Sequence, residues 1–448
     1  MIAIKIRAIY VILTGAIGLF VSCNSAAGIP IDYWTQPNGA QVFLVQSPAI
    51  PMVDVRLEFD AGARRDPMGK AGLASVMAAS LADGVRAAAR EPALDENALG
   101  EAWADLGASF SAVAGLDRLS VSLRTLTYPD LLPRAVALAA RQLGEPSFPA
   151  AKWQRDRPKW IASMKEADTR PATVARRAYV HAVFGSHPYG AEATAATLQR
   201  ITVQDMAAVH ARLLRPCYAR VSLVGALSRA QADALVAQLL SRLPGKACPA
   251  LQPVPEVPGL QKAQDIVIAF ASAQAHVLLG QPGYARRDPD HLALAVGNHI
   301  LGGGGFTSRL TEEVREQRGL SYSVDSHFAP GMQAGAFSIS LQTRPDQAGQ
   351  ALELARAVLE RFVSNGPTDA ELQAAKDHLI GSFPLQLDGN LKLLDSVANI
   401  AWNDLPLDYL DTWAQRVQQL TPNAIRRAFA RVLQPEKMVS VVLGAPGQ

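Results

Sequence analysis

A duplication constrains this chain more than any other feature. Ala63-Arg64-Arg65-Asp66-Pro67 returns as Ala285-Arg286-Arg287-Asp288-Pro289, 222 residues later. Three more landmarks recur in the same order at nearly the same offset. Thr125, followed by Pro129, is echoed by Thr343 and Pro345; Thr202 is echoed by Thr421; Gly225 is echoed by Gly444. Each landmark falls in the same kind of predicted element in both copies, so coincidence among common residues explains them poorly. Two copies of roughly 200 residues are too few and too long for a solenoid. They imply two lobes facing each other across a space.

Each copy mixes the two periodicities. Val53-Val55-Leu57-Phe59 and Leu119-Val121-Leu123 alternate as half-buried strands do. Gly72 precedes an Ala-rich helix from Leu73 to about Ala82. Further helices are predicted over Glu96–Leu106, Trp153–Asp168, Ala172–Phe184 and Val203–Leu214, and Val221-Leu223-Val224 forms a closing strand. Prolines at 244, 249, 253, 255 and 258 then mark a linker, after which the pattern restarts. The expected class is α+β, in two homologous lobes with mixed sheets and packed helices. The expected divisions are a leader 1–27, an N-terminal lobe 28–243, a linker 244–260 and a C-terminal lobe 261–448.

The leader reads as an export signal. Lys5 and Arg7 precede an apolar run from Ala8 through Val21, which is short for a spanning helix. Two outcomes compete: cleavage near Ala26 or Ala27, or cleavage before Cys23, since Leu19-Phe20-Val21-Ser22-Cys23 resembles a lipobox. An uncleaved anchor helix is the third. All three put the body of the protein in the periplasm or cell envelope, the second with a lipid on Cys23. Cys217 and Cys248 remain in the mature body; in an oxidising compartment geometry decides whether they pair. The net charge of +3 over 448 residues gives no case for a nucleic-acid surface.

The least ordinary stretch is Gly302 to Val324, GGGGFTSRLTEEVREQRGLSYSV. Gly302, Gly303, Gly304 and Gly305 read as a turn or hinge that would let a peptide approach the backbone; the G-K-[ST] of a phosphate loop is missing, since Phe306-Thr307-Ser308 follows. A short charged helix ends at Gly319, and a strand is expected from Tyr322. Arg309 is expected to pair with Glu312 or Glu313 on that helix.

Taken together, the G-x-R-x-D-P turn before an Ala-rich helix, His187-Pro188-Tyr189-Gly190, and the second-half L-G-G-G and R-x-x-x-G-L-x-Y-S-V segments resemble the M16 peptidases. This is the pitrilysin, insulinase and mitochondrial-processing-peptidase group, and its bacterial two-lobe branch fits the length. The resemblance covers nearly the whole mature chain and implies the LuxS/mitochondrial-processing-peptidase type of fold. Active members carry H-x-x-E-H on the helix after the turn: two histidines one turn apart bind zinc and the glutamate activates water. By that register the three positions here are Ser75, Ala78 and Ala79, none of which can serve. The further ligand falls within Arg155 to Glu166, where Asp156 and Glu166 have no histidine partners. No two of the eight histidines are three to five residues apart. The expectation is no catalytic zinc and no other cofactor in this chain.

In the family, the second lobe supplies an arginine and a tyrosine that hold the substrate backbone and stabilise the oxyanion; Arg315 and Tyr322 match by position. Some bacterial members act in pairs, one subunit keeping the zinc motif and the other the Arg/Tyr pair. The resemblance therefore implies a zinc-less subunit that binds peptide beside a zinc-bearing partner. The rival readings are a peptide-binding or assembly protein without catalysis, and an autonomous metallopeptidase with unusual ligands.

Overall fold

The structure is a computed structural model that describes residues 28–88, 91–245 and 247–444. The leader and Cys23 lie outside the described residues. The strands are β1 (Asp32–Thr35), β2 (Gln41–Gln46), β3 (Met52–Phe59), β4 (Gly84–Val85), β5 (Leu94–Asp95), β6 (Ser109–Ala114), β7 (Leu119–Leu126), β8 (Arg220–Gly225), β9 (Gln264–Ile268), β10 (Ala275–Pro282), β11 (Ser323–Phe328), β12 (Ala336–Thr343) and β13 (Val439–Leu443). One large sheet runs β1-β2-β8-β3-β7-β6 and the other β11-β12-β10-β13-β9; β4 and β5 form a small separate ladder. Without the extra edge strand β1, the first sheet reads β2-β8-β3-β7-β6 and the second, reversed, β9-β13-β10-β12-β11. The one parallel pair, β2 with β8, corresponds to β9 with β13. Val53 pairs with Thr125 as Ala275 pairs with Thr343, so the sequence offsets are registers of the same sheet. The fold is the α+β pair of lobes that the duplication implies.

Each lobe has its own core beneath one face of its sheet. Val53, Val55, Leu57 and Phe59 of β3 point into the first, and Val277, Leu279, Phe337 and Ile339 into the second. The opposite face of each sheet is covered by a helix from the other half. Helix Pro171–Phe184 lays Ala175, Tyr179 and Val183 against Val439, Val441 and Leu443. Helix Asn390–Asn403 lays Leu394, Val397 and Ala401 against Phe43, Val45 and Val224. This explains why β8 and β13 are nearly continuous apolar runs: they are covered on both sides. Arg220 holds the end of the second exchanged helix, donating to the Trp402 carbonyl at 2.7 Å and pairing with Asp404 at 2.9 Å. A cation at a helix C-terminus is favoured by the backbone dipole.

The face of β3 toward that helix is charged: Asp54, Arg56 and Glu58 alternate with the core residues. Glu58 is fully buried, 2.8 Å from Arg118, and Arg118 and Arg220 both face the Trp402 ring. Burial pushes Glu58 up to about 7, against the pull of Arg118, Arg56 and Arg220. Residues 247–260 form neither helix nor strand. Cys248, in that segment, is bridged to Cys217. Among the described residues no helix is long and apolar enough to cross a membrane.

Two outcomes follow. The bridge closes a loop of sequence separation 31, so Cys217→Ser should lower unfolding free energy by about 3–4 kcal/mol in urea melts if chain entropy governs. Glu58 has a folded pKa above its ordinary 4.5, so its contribution is full below that value and is lost as pH rises through about 7. Melting measured from pH 5 to 8 should fall by up to about 3 kcal/mol more in the wild type than in Glu58→Gln.

Candidate functional site

The Gly302–Val324 stretch folds as two helical pieces against the edge strand β11. Helix His291–Asn298 does not stop at the glycines; it continues as a π-helical turn, His299–Gly303. The expected hinge is therefore largely helical at Gly302 and Gly303, and the reason is crowding. A Cβ on Gly302 would lie 2.5 Å from the Ser326 nitrogen and 2.7 Å from a Leu310 methyl. The chain turns at Gly305–Thr307 and enters a second π-helical segment, Thr311–Glu316. Gly319 takes a positive φ of 61° before the chain extends. The strand begins at Ser323, one residue after Tyr322. Single π-helical turns are costly and concentrate at functional sites.

This arrangement gathers Arg315, Tyr322, Gly302, Gly303 and Gly305 around one cleft of about 410 Å³, with residues of β11 as its wall. The Arg315 guanidinium lies over two rings, 4.8 Å from the Phe306 centroid and 5.1 Å from that of Tyr322. Both rings are well exposed, at 71% and 80%. Arg315's carboxylate contact is its neighbour Glu316, at 3.3 Å. A guanidinium stacked by its faces keeps its N–H edge free to donate. Phe306 was not legible as part of this group from sequence; only its position just after the glycines hinted at it.

Arg309 does not pair with Glu312 or Glu313. It crosses to Glu371, 2.7 Å away, and to the Gly366 carbonyl at 3.0 Å, while Glu313 pairs with Arg361. A half-buried guanidinium takes the partner that satisfies several of its donors. Thus Arg315 is the arginine of this helix left facing the cleft. On its open side β11 pairs with no strand, although Asn298 donates to the Ser326 carbonyl there at 3.0 Å.

Ser75, Ala78 and Ala79 lie elsewhere, on helix Leu73–Ser80: Ala78 is buried, Ser75 half-buried and Ala79 exposed. Ala79 lines a pocket of about 390 Å³ that shares no residue with the Arg315 cleft. Helix Ala150–Ala167 brings Lys152 and Asp156 into it. The Lys152 ammonium lies 2.9 Å from Glu96, 3.0 Å from Asp156 and 3.3 Å from Asp83. Asp156 also contacts Lys159 at 3.0 Å and Arg155 at 3.3 Å. Hydrogen bonds from Lys159, Arg155 and Lys152 hold Asp156 well below the usual carboxylate range, and its bond to Glu96 raises Lys152. Zinc does not fit this pocket: the helix offers only serine hydroxyls, which are poor zinc ligands, and the nearby carboxylates already hold an ammonium. Sequence reading placed Asp156 in the region but missed Lys152; its i, i+4 spacing to Asp156 was the available signal.

Two histidines are tied to backbone carbonyls. His187 bonds the Pro255 carbonyl at 2.8 Å and His210 the Leu143 carbonyl at 2.7 Å. His299 and His378 stack at 5.2 Å, a pair that sequence spacing did not reveal.

Comparisons with known proteins show what the chain as a whole resembles. The family described as "Peptidase M16 inactive domain" matches residues 200–379. A crystal structure of a peptidase M16 inactive domain from Pseudomonas fluorescens superposes with a TM-score of 0.86 at 34% identity, covering 93% of this chain and 98% of that one. The non-peptidase homolog YmxG of Helicobacter pylori is 25% identical over 387 residues, 83% of this chain and 84% of its own. An uncharacterized zinc protease of Streptomyces coelicolor is 28% identical over 288 residues, 62% of each chain, so the match spans less than two thirds of that relative.

If Lys152 is what excludes metal, two histidines alone will not rebuild the site. Ser75→His/Ala79→His should bind zinc at least about tenfold more tightly once Lys152→Ala is added, by isothermal titration calorimetry. Equal affinity with and without Lys152 would refute its role.

Proposed function

This chain belongs to the M16 peptidase family, and on that premise we propose that it is the metal-free subunit of an exported two-chain peptidase. It is an inactive-type M16 protein: the positions that match the family's zinc motif are Ser75, Ala78 and Ala79. In this reading a zinc-bearing M16 partner holds the metal. The present chain closes a peptide chamber and contributes Arg315 and Tyr322. The supporting observation is the stacking of Arg315 over Phe306 and Tyr322 on an open cleft.

The chemistry assigned to the pair is electrostatic. Guanidinium N–H groups and a phenol O–H are donors for a carbonyl oxygen that becomes negative as it is attacked. The stacking rings fix the arginine before substrate arrives, so less rotamer entropy is lost on binding. The edge strand β11 along the cleft wall offers an extended peptide backbone partners by strand addition. Export, with or without a lipid on Cys23, belongs to the same proposal. The leader pattern supports it, and so does the Cys217–Cys248 bridge, because disulfides persist in oxidising compartments.

A second reading has one observation in its favour: a relative alignable along most of the chain is named a non-peptidase homolog. On that reading the cleft binds peptide segments or an assembly partner and no turnover depends on Arg315.

Reconstitution with a zinc-bearing M16 subunit separates the two. In the intact complex, Arg315→Ala should cut kcat for peptide cleavage by about 100-fold, the size of losing one oxyanion donor. Tyr322→Phe should cost about tenfold, and Phe306→Ala should act through KM as the arginine loses its stacking. Unchanged turnover in an intact complex would remove the catalytic assignment and leave the binding role.

A further inference from the structure

The duplicated turn provides an internal comparison. In the first copy Arg64 and Tyr189 converge on one carboxylate. Tyr189 Oη donates to Asp117 Oδ1 at 2.6 Å, and Arg64 Nε lies 3.1 Å from the same oxygen. Asp60 takes Arg64 from the other side at 2.8 Å, and also Arg65. Every charge in that cluster has a partner.

The second copy keeps the cations and the phenol but lacks both acids. Arg286 stands where Arg64 does, and Tyr409 faces it: Arg286 Nη2 donates to Tyr409 Oη at 3.4 Å, and the guanidinium lies 5.9 Å from the ring centroid. The sheet registers align Asp60 with Pro282 and Asp117 with Gly335. The whole loop from Ala329 to Gly335 has no acidic residue. Arg416 approaches the same ring, 5.6 Å from its centroid. Among the described residues neither Arg286 nor Arg416 has a carboxylate partner.

Asp288, which lines the same pocket, and Asp404 are engaged elsewhere. Asp288 pairs with Arg431 at 2.6 Å, and Asp404 with Arg220 at 2.9 Å and with Arg287. His291 adds no charge: burial first, then Arg286 and Arg416, pushes it down to about 3. The two guanidiniums open into a pocket of about 500 Å³ between the turn and helix Tyr409–Gln418. Two unpaired cations beside a phenol donor form a site that attracts an anion and can bind it through charge-assisted hydrogen bonds.

We propose that this pocket binds a carboxylate carried by a peptide, which takes the place that Asp117 fills in the first copy. A carboxylate is preferred to a larger anion because the homologous Arg–Tyr pair already holds one. The carboxylate comes either from a peptide C-terminus or from an acidic side chain. This site shares no residue with the Arg315 cleft, and its test does not depend on a partner subunit.

The test is fluorescence anisotropy on the mature chain with three labelled peptides: Gly-Ser-Ala repeats with a free C-terminus, the same peptide as its amide, and the amide with one central glutamate. The plain amide should bind at least about tenfold more weakly than the better of the other two, and which of those binds identifies the source of the carboxylate. Arg286→Gln and Arg416→Gln should each weaken that binding by about tenfold. Arg416 is exposed, so its replacement reads the site even if Arg286→Gln disturbs the fold. Equal binding of acid and amide, no binding of any peptide, or wild-type affinity in Arg416→Gln would overturn the proposal. Competition by inorganic phosphate stronger than by acetate would overturn the assignment to a carboxylate.

Discussion

The exchange of one helix between the halves is the constraint on which the rest of the structure depends. Pro171–Phe184 closes the second sheet and Asn390–Asn403 closes the first. Neither sheet can bury its second face from its own half, so neither lobe has a complete core alone. Burying apolar faces in this reciprocal way makes the lobes one cooperative unit. It also places the polar contacts between them. Asp117 of the first lobe accepts from the Met332 nitrogen of the second at 2.9 Å, and Tyr189 Oη accepts from the Gln333 nitrogen at 3.0 Å. The hairpin loop before β12 is thereby tied to the first lobe, and β11, the strand on its other side, has no strand partner on its outer edge among the described residues.

Within that frame the two halves have diverged in opposite senses. The first holds an internal cation beside the helix of the degenerate motif: Lys152 sits among Asp83, Glu96 and Asp156, and Ala79 faces it without a ligand atom. The second has kept donors without acceptors. Arg315 is stacked but not neutralised across the cleft, Arg286 lacks the acids that its first-half counterpart Arg64 holds, and Arg416 has no carboxylate partner among the described residues. A cluster whose charges are satisfied has little to offer a ligand; one with oriented, unpaired donors is prepared to receive one.

The strands and the duplication were legible because alternation with period two reports a half-buried face directly, as at Val53 to Phe59. The exchange was not: amphipathicity shows that Ala172–Phe184 buries a face but not which sheet it meets. The glycines looked like a hinge because composition cannot separate a flexible glycine from one required by close packing, and Gly302 is the second kind. Arg309 found Glu371 rather than a helical neighbour for the same reason; partners 62 residues away are set by tertiary contact. Arg315, Tyr322 and the positions Ser75, Ala78 and Ala79 could be singled out because family resemblance supplies register. Phe306 and Lys152 were not, since their roles arise from what packs beside them.

We propose that this chain carries no catalytic metal and acts through donors that serve another subunit's site. It is tested most directly by zinc analysis of the purified mature chain, with peptide cleavage assayed on the same sample. The account predicts far less than stoichiometric zinc and no cleavage by the chain alone. Stoichiometric zinc with cleavage by the single chain, abolished by a chelator and restored by zinc, would contradict it.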